Sequence, residues 1–376
     1  MTIHYGVDFG VERASDVLND ISGEASSDPS GKQVEGIMMD HLGRSLREVD
    51  RRGRIDYGFK NSRPEGVEIL VLDNFQANLE GKFHGKRVAY VAEQALSQPG
   101  VEVLRQQYRG LYDLAGQLLR IAGSENPPEV INLSHGKGPA EVFKKYFPAF
   151  LSSFEEEHGA DFSRWSADTR QEFKDNVQKL AEHAVDDFNS ILGDTTQELE
   201  NAVQALLDKG VTVVISAGNS GDLQGMLNEL DVNIPDGFFG SVYGQAVNAD
   251  GVIVVGATDA EGQPADFSSP TGFTDVAAEG DQVPVNRRDG LGSGTSYAAP
   301  KVAALVADIL TIRPELTPAD VEAIIRKSAS PVAGAEKSLG AGLVNPDKAL
   351  ELARRWAPSA DLPDKDKTCP QISVQI

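Results

Sequence analysis

From residue 67 onward, short apolar runs rich in β-branched residues alternate with longer stretches of helical period. VEILVLD, Val67–Asp73, reads as a buried strand that stops on a carboxylate. HGKRVAYVAEQAL, opening at His84, has the period of a helix, and 101–104 is a short strand. Residues 111–121 are helical, and Pro127-Pro128 breaks the chain before a strand at Val130–Leu133. Further on, 202–207 lies in a helix, while 211–216 and 252–255 read as strands. Such strands suit a parallel sheet covered by helices. The pattern therefore predicts an α/β layered fold with its chemistry at the carboxyl ends of the strands.

Two regions depart from this rhythm. Residues 1–66 are polar and weakly periodic, although Ile37, Met38, Leu42, Leu46 and Val49 roughly follow a helical period. This N-terminal extension reads equally as a remnant of a folding aid, a surface arm or a simple extension. Residues 139–196 carry Trp165, several Phe and more acidic than basic residues, with helical patterns at 173–180 and 185–192. They read as an insertion packed on the core, over one rim of the site, or as a solvated helical pair with no part in recognition. In the last third, TSYAAPKVAALVADIL predicts a helix whose small residues allow close packing. Thr317 caps a helix over Pro318–Ser328, and Asn345-Pro346 opens a final one through Trp356. Residues 67–356 then form one catalytic-size unit, followed by a polar tail at 357–376.

Composition narrows the function classes. The 376 residues hold 57 Asp and Glu against 35 Lys and Arg, a net charge of −22, which argues against a nucleic-acid partner. The one cysteine, Cys369, excludes an intrachain disulfide framework and any multi-cysteine metal site. No window approaches a membrane span. The first residues lack the basic and apolar regions of a secretory signal, which predicts a cytoplasmic protein; a mature secreted chain is the alternative.

Three polar residues sit at element ends where packing does not demand them: Asp73 after a strand, His84 before a helix and Ser296 at the start of the small-residue helix. Taken singly, each reads as a cap or a loop residue. Together they can build a nucleophile. A serine hydroxyl needs a base, an imidazole titrates near neutrality, and a carboxylate on its other nitrogen fixes the tautomer. SAGNS at 216–220 adds Asn219, whose amide can donate to a developing oxyanion beside the Ser296 backbone N–H. A Gly-Asn turn formed for backbone reasons is the plain alternative. The other histidines lack metal-ligand spacing, and no EF-hand loop, Walker motif or dinucleotide-binding glycine pattern occurs.

These pieces, with VINLSHGKG at 130–138, VVISAGNSG at 213–221, ADFSSPTG at 265–272, GSGTSYAAPKVAALVA at 292–307 and GAGLVNPDKAL at 340–350, resemble the subtilisin-like serine proteases. The resemblance covers most of 67–352, with 139–196 outside it. It implies a three-layer subtilisin-like fold with a mostly parallel central sheet. It also implies a catalytic Asp73, His84 and Ser296, an oxyanion-hole Asn219, and a substrate-binding strand at Ser134, His135 and Gly136. Extended protein or peptide substrates would pair with that strand by main-chain hydrogen bonds. The segments 134–138 and 216–221 would line the pocket for the substrate side chain. No cofactor is implied; structural calcium is a family property that this sequence does not itself display.

The sequence differs from the family pattern in places. Only 74–83 separate Asp73 from His84, where the family has a longer loop. Arg87 and Lys301 stand where the family usually has histidines, and His135 replaces a commonly apolar residue, either tuning side-chain preference or facing solvent. The expected function is a serine endopeptidase acting through an acyl-enzyme. The alternative is a non-catalytic protein of the same fold that binds a peptide or partner, and a third option is an esterase or amidase using the same site.

Overall fold

The computed structural model describes residues 66–75, 84–108, 111–134, 138–192, 195–241, 249–287 and 290–358. The extension before residue 66 with its helical period, the C-terminal tail beyond 358 with Cys369, and His135 and Gly136 lie outside these residues.

In chain order the elements are β1 (Val67–Asp73), α1 (His84–Ala95), β2 (Val101–Gln107), α2 (Leu111–Ala122), β3 (Val130–Leu133), α3 (Pro139–His158) and α4 (Ala167–Leu192). Next come α5 (Thr195–Leu207), β4 (Thr212–Ser216), α6 (Gly221–Glu229), β5 (Val252–Thr258), β6 (Val276–Glu279), β7 (Val283–Pro284) and β8 (Leu291–Gly292). The chain closes with α7 (Thr295–Ile312), α8 (Pro318–Ser328), α9 (Glu336–Leu339) and α10 (Pro346–Arg355). Six strands form one sheet in the order β2-β1-β3-β4-β5-β6, every neighbouring pair parallel. A small antiparallel pair, β7-β8, stands apart.

The strands show why three layers form. Successive side chains of a strand face opposite sides of its sheet. Leu70 and Leu72 of β1, Ile131 and Leu133 of β3, and Val213 and Ile215 of β4 enter one core with helices α2 to α5. Val67, Ile69 and Val71 of β1, Val130 of β3 and Val214 of β4 enter the other, with α1, α7, α8 and α10. Both faces are covered, so the strands read as continuous apolar runs.

The insertion is part of the first core. Phe143, Phe147, Phe154, Trp165, Phe173, Val177 and Phe188 are buried in the same cluster as Leu70 and Ile131. The two helical patterns at 173–180 and 185–192 belong to one continuous helix, α4. Ala181 and Ala184 keep its buried face intact between them, although alanine contributes little to an apolar period. The edge strand β2 runs on to Gln107, past the short run predicted at 101–104, because an edge tolerates polar residues. Among the described residues no helix is long and apolar enough to cross a membrane.

Candidate functional site

Strand register brings distant residues level. Val71 pairs with Asn132, and Asn132 pairs with Val214, so these three form one row across β1, β3 and β4. Two residues further along each strand lie Asp73, Ser134 and Ser216. A two-residue step returns to the same side of the sheet, the side that α7 covers. The site is therefore assembled at the carboxyl ends of three adjacent central strands.

Asp73 ends a strand whose seven positions are all buried, and its own side chain is fully buried. Its Oδ1 accepts from the Asn74 backbone N–H at 2.6 Å and meets His84 Nδ1 at 2.8 Å. A carboxylate can only accept, so His84 presents Nδ1–H to Asp73, and in the neutral ring Nε2 carries the lone pair. Helix α1 is seated for this contact: the Gly85 N–H donates to the Asn74 carbonyl at 2.8 Å, and an added Cβ at Gly85 would lie 3.0 Å from that oxygen. The far end of α1 is anchored too. Buried Asp308 of α7 accepts from the backbone N–H groups of Ser97 and Gln98 and from the Ser97 hydroxyl.

Burial disfavours the charged imidazolium of His84 and by itself would lower its pKa. The Asp73 charge and hydrogen bond work in the opposite direction, and Arg87 one turn along α1 lowers the value again. The net effect is a pKa raised above 6.5. Arg87, at the position where the family usually has a second histidine, thus influences His84 through charge.

Ser296 lies in the first turn of α7, where backbone N–H groups have no acceptor inside the helix. Its side chain is nearly buried, and its hydroxyl donates to the Ser134 backbone carbonyl at 2.5 Å. The next residue, Tyr297, stands 6.0 Å from the His84 ring, centroid to centroid. Ser134 in turn accepts on its hydroxyl from Asn132 Nδ2 at 2.8 Å.

Asn219 is fixed by α7. Its Oδ1 accepts from the Thr295 backbone N–H at 2.9 Å and from the Thr295 hydroxyl at 3.0 Å. A backbone N–H can only donate, so the amide oxygen must face Thr295, leaving the NH2 to other directions. Thr295 also accepts from the Gly218 N–H at 3.2 Å. Gly218 has φ +119°, and a Cβ there would crowd the Ser269 hydroxyl and the Ser241 N–H, so glycine is required at this turn.

The structure thus brings Asp73 to His84, Ser296 to Ser134, and Asn219 to the residue before Ser296. Two partners were not singled out from the sequence. Thr295 carries a recognisable signal, a hydroxyl residue opening a helix, but its role is to hold Asn219. Lys144 of α3, whose Nζ donates to the Asn219 carbonyl at 2.8 Å, carries none. Among the described residues no group of three or more His, Cys, Asp and Glu side chains could hold a metal.

The model of the Subtilase family matches residues 100–342, a span that begins downstream of Asp73 and His84. Mycosin-1 of Mycolicibacterium smegmatis (strain ATCC 700084 / mc(2)155) is 29% identical over 161 residues, 38% of this chain and 36% of that protein. Subtilisin DY of Bacillus licheniformis is 34% identical over 146 residues, 38% of this chain and 47% of that protein. The chain therefore spans less than half the length of either relative in these matches. The solved structure of Patellamide maturation protease PatA aligns at 20% identity with a TM-score of 0.48, over 78% of this chain and 98% of that one.

Proposed function

Because the chain belongs to the subtilase family, we propose that it is a serine endopeptidase that cleaves extended polypeptides through an acyl-enzyme. The observation that carries this reading is the 2.8 Å contact between buried Asp73 and His84 Nδ1, at the strand ends where Ser296 and Asn219 also gather.

In this mechanism the Ser296 hydroxyl turns from the Ser134 carbonyl toward His84. His84 Nε2 takes the hydroxyl proton as Ser296 Oγ bonds to the scissile carbonyl carbon. Asp73 holds the imidazole and stabilises the imidazolium that forms. The carbonyl oxygen gains negative charge, which the Asn219 amide and the Ser296 N–H receive. Loss of one such donor costs about 3 kcal/mol of transition-state stabilisation, a magnitude that comes from subtilisin itself. His84 then passes its proton to the leaving amine as the C–N bond breaks. Water, losing a proton to His84, attacks the acyl carbon, and the returned proton frees Ser296. The substrate lies extended along Ser134, His135 and Gly136, pairing through main-chain groups.

A fluorophosphonate probe should label Ser296 in the folded protein and leave Ser296→Ala unlabelled. A folded protein that resists the probe would overturn the catalytic reading. The Ser296–Ser134 contact is what favours the second reading, a peptide-binding protein whose serine stays turned to the backbone. Ser296-dependent cleavage of casein rejects that alternative.

A further inference from the structure

The residue proposed as oxyanion donor is gripped from two sides, and only one grip belongs to the strand ends and α7. Thr295 holds the Asn219 side chain. The Asn219 main chain is held by the insertion: Lys144 Nζ donates to its carbonyl at 2.8 Å. Lys144 also meets Glu141 Oε1 at 2.9 Å, and the same oxygen accepts from the Ser220 hydroxyl at 3.2 Å. One turn of α3 therefore bonds the two consecutive residues 219 and 220.

That turn is itself fixed. A Cβ at Gly138, just before α3, would lie 2.2 Å from the Gly240 carbonyl oxygen, so the helix start rests directly on backbone. The next residue, Ser241, donates its N–H to the Ala217 carbonyl at 2.8 Å, tying the same backbone to the 217–220 loop. Phe143, beside Lys144, is fully buried and stacks on Phe147 with ring centroids 5.0 Å apart. A flexible lysine tip on a rigid helix can hold a carbonyl in one orientation, because a charged donor bonds more strongly than a neutral one.

We infer that Lys144, supported by Glu141, is a positioning residue for catalysis: it fixes the 219–220 peptide so that the Asn219 amide faces the oxyanion. This rests on the endopeptidase reading and adds to it a role for the insertion, which couples α3 to transition-state stabilisation. The effect belongs in kcat, because the oxyanion forms only in the transition state.

The test measures kcat and KM of the full chain on a fluorogenic peptide for wild type, Lys144→Met, Lys144→Arg, Asn219→Ala and the Lys144→Met/Asn219→Ala double variant. Lys144→Met should lower kcat about tenfold with KM little changed, and Lys144→Arg should restore most of the loss. In the Asn219→Ala background the same change should cost less than about twofold, since the group it positions is gone. Unchanged kcat in folded Lys144→Met overturns the inference. So does an undiminished tenfold loss without Asn219, which would mark a general structural effect. Glu141→Gln gives an independent arm: it weakens the support on Lys144 and should lower kcat in the same Asn219-dependent way. Wild-type protein that is folded but inactive would instead sink the endopeptidase reading, so the two failures are distinguishable.

Discussion

Replacing Thr295 by Val isolates one hydroxyl at the centre of the site. Thr295 is wholly buried, and its Oγ1 makes two bonds at once, donating to Asn219 Oδ1 at 3.0 Å and accepting from Gly218 N–H at 3.2 Å. Valine preserves the shape and the Thr295 backbone N–H, so Asn219 retains its 2.9 Å bond. The losses are one restraint on the amide and the partner of a buried N–H. An unsatisfied buried donor costs about 1–3 kcal/mol, and the stability decrease should fall near 2 kcal/mol. Because Asn219 stays in place but swings more freely, kcat should fall about tenfold, less than outright removal of the donor. Urea denaturation reads the first quantity and peptide hydrolysis the second. Thr295→Ser, which keeps the hydroxyl and loses a methyl group, is the control and should retain most of kcat. If Thr295→Ser loses as much activity as Thr295→Val, packing rather than hydrogen bonding holds Asn219, and the reasoning fails.

Further outcomes follow from other residues in and around the site. His84 must be neutral to act as a base, and its pKa in the folded chain is raised above 6.5, so kcat/KM should climb with pH through an inflection above 6.5. Stability from this group is fully present below 6.5 and is lost as pH rises through the folded value. Asp73→Asn removes both raising influences and leaves burial and Arg87, so the inflection of its residual activity should move below that of wild type; an unmoved inflection would contradict the assignment of cause. Asp308→Ala strips the acceptor from two N–H groups and the Ser97 hydroxyl beyond the end of α1, and should cost about 2 kcal/mol in urea denaturation. A change below about 0.5 kcal/mol would show that water replaces the carboxylate without penalty.

What the sequence reveals depends on how local each feature is. β1 and β3 match their apolar runs end to end, since both are buried on two sides and need no alternation. Asp73 is conspicuous because a charge closes such a run, and α8 is legible from its Thr317 cap, which the structure completes with Asp320 as a capping box. Strand β6, VAAE, escaped because its two alanines have little preference for a strand and its neighbours hold it: it pairs with β5 and bridges through Ala277 to Leu343. Helix α6 begins on a glycine, which ordinarily weakens a helix, and so its pattern was not evident. Lys144 was invisible for another reason. A half-exposed lysine on an amphipathic helix has no distinguishing pattern, and its partner lies 75 residues away.

The aromatic residues of α3 and α4 give the insertion a standing that its absence from the shared motifs would not suggest. Phe143, Phe154, Phe173 and Phe188 lie on the side of the sheet away from α7, in the same buried apolar cluster as residues of the central strands. Truncating one buried phenylalanine typically costs about 3–5 kcal/mol. Excising 139–192 to shorten the chain would therefore remove a large share of that cluster, and a trimmed variant would need a redesigned apolar covering there before it could fold.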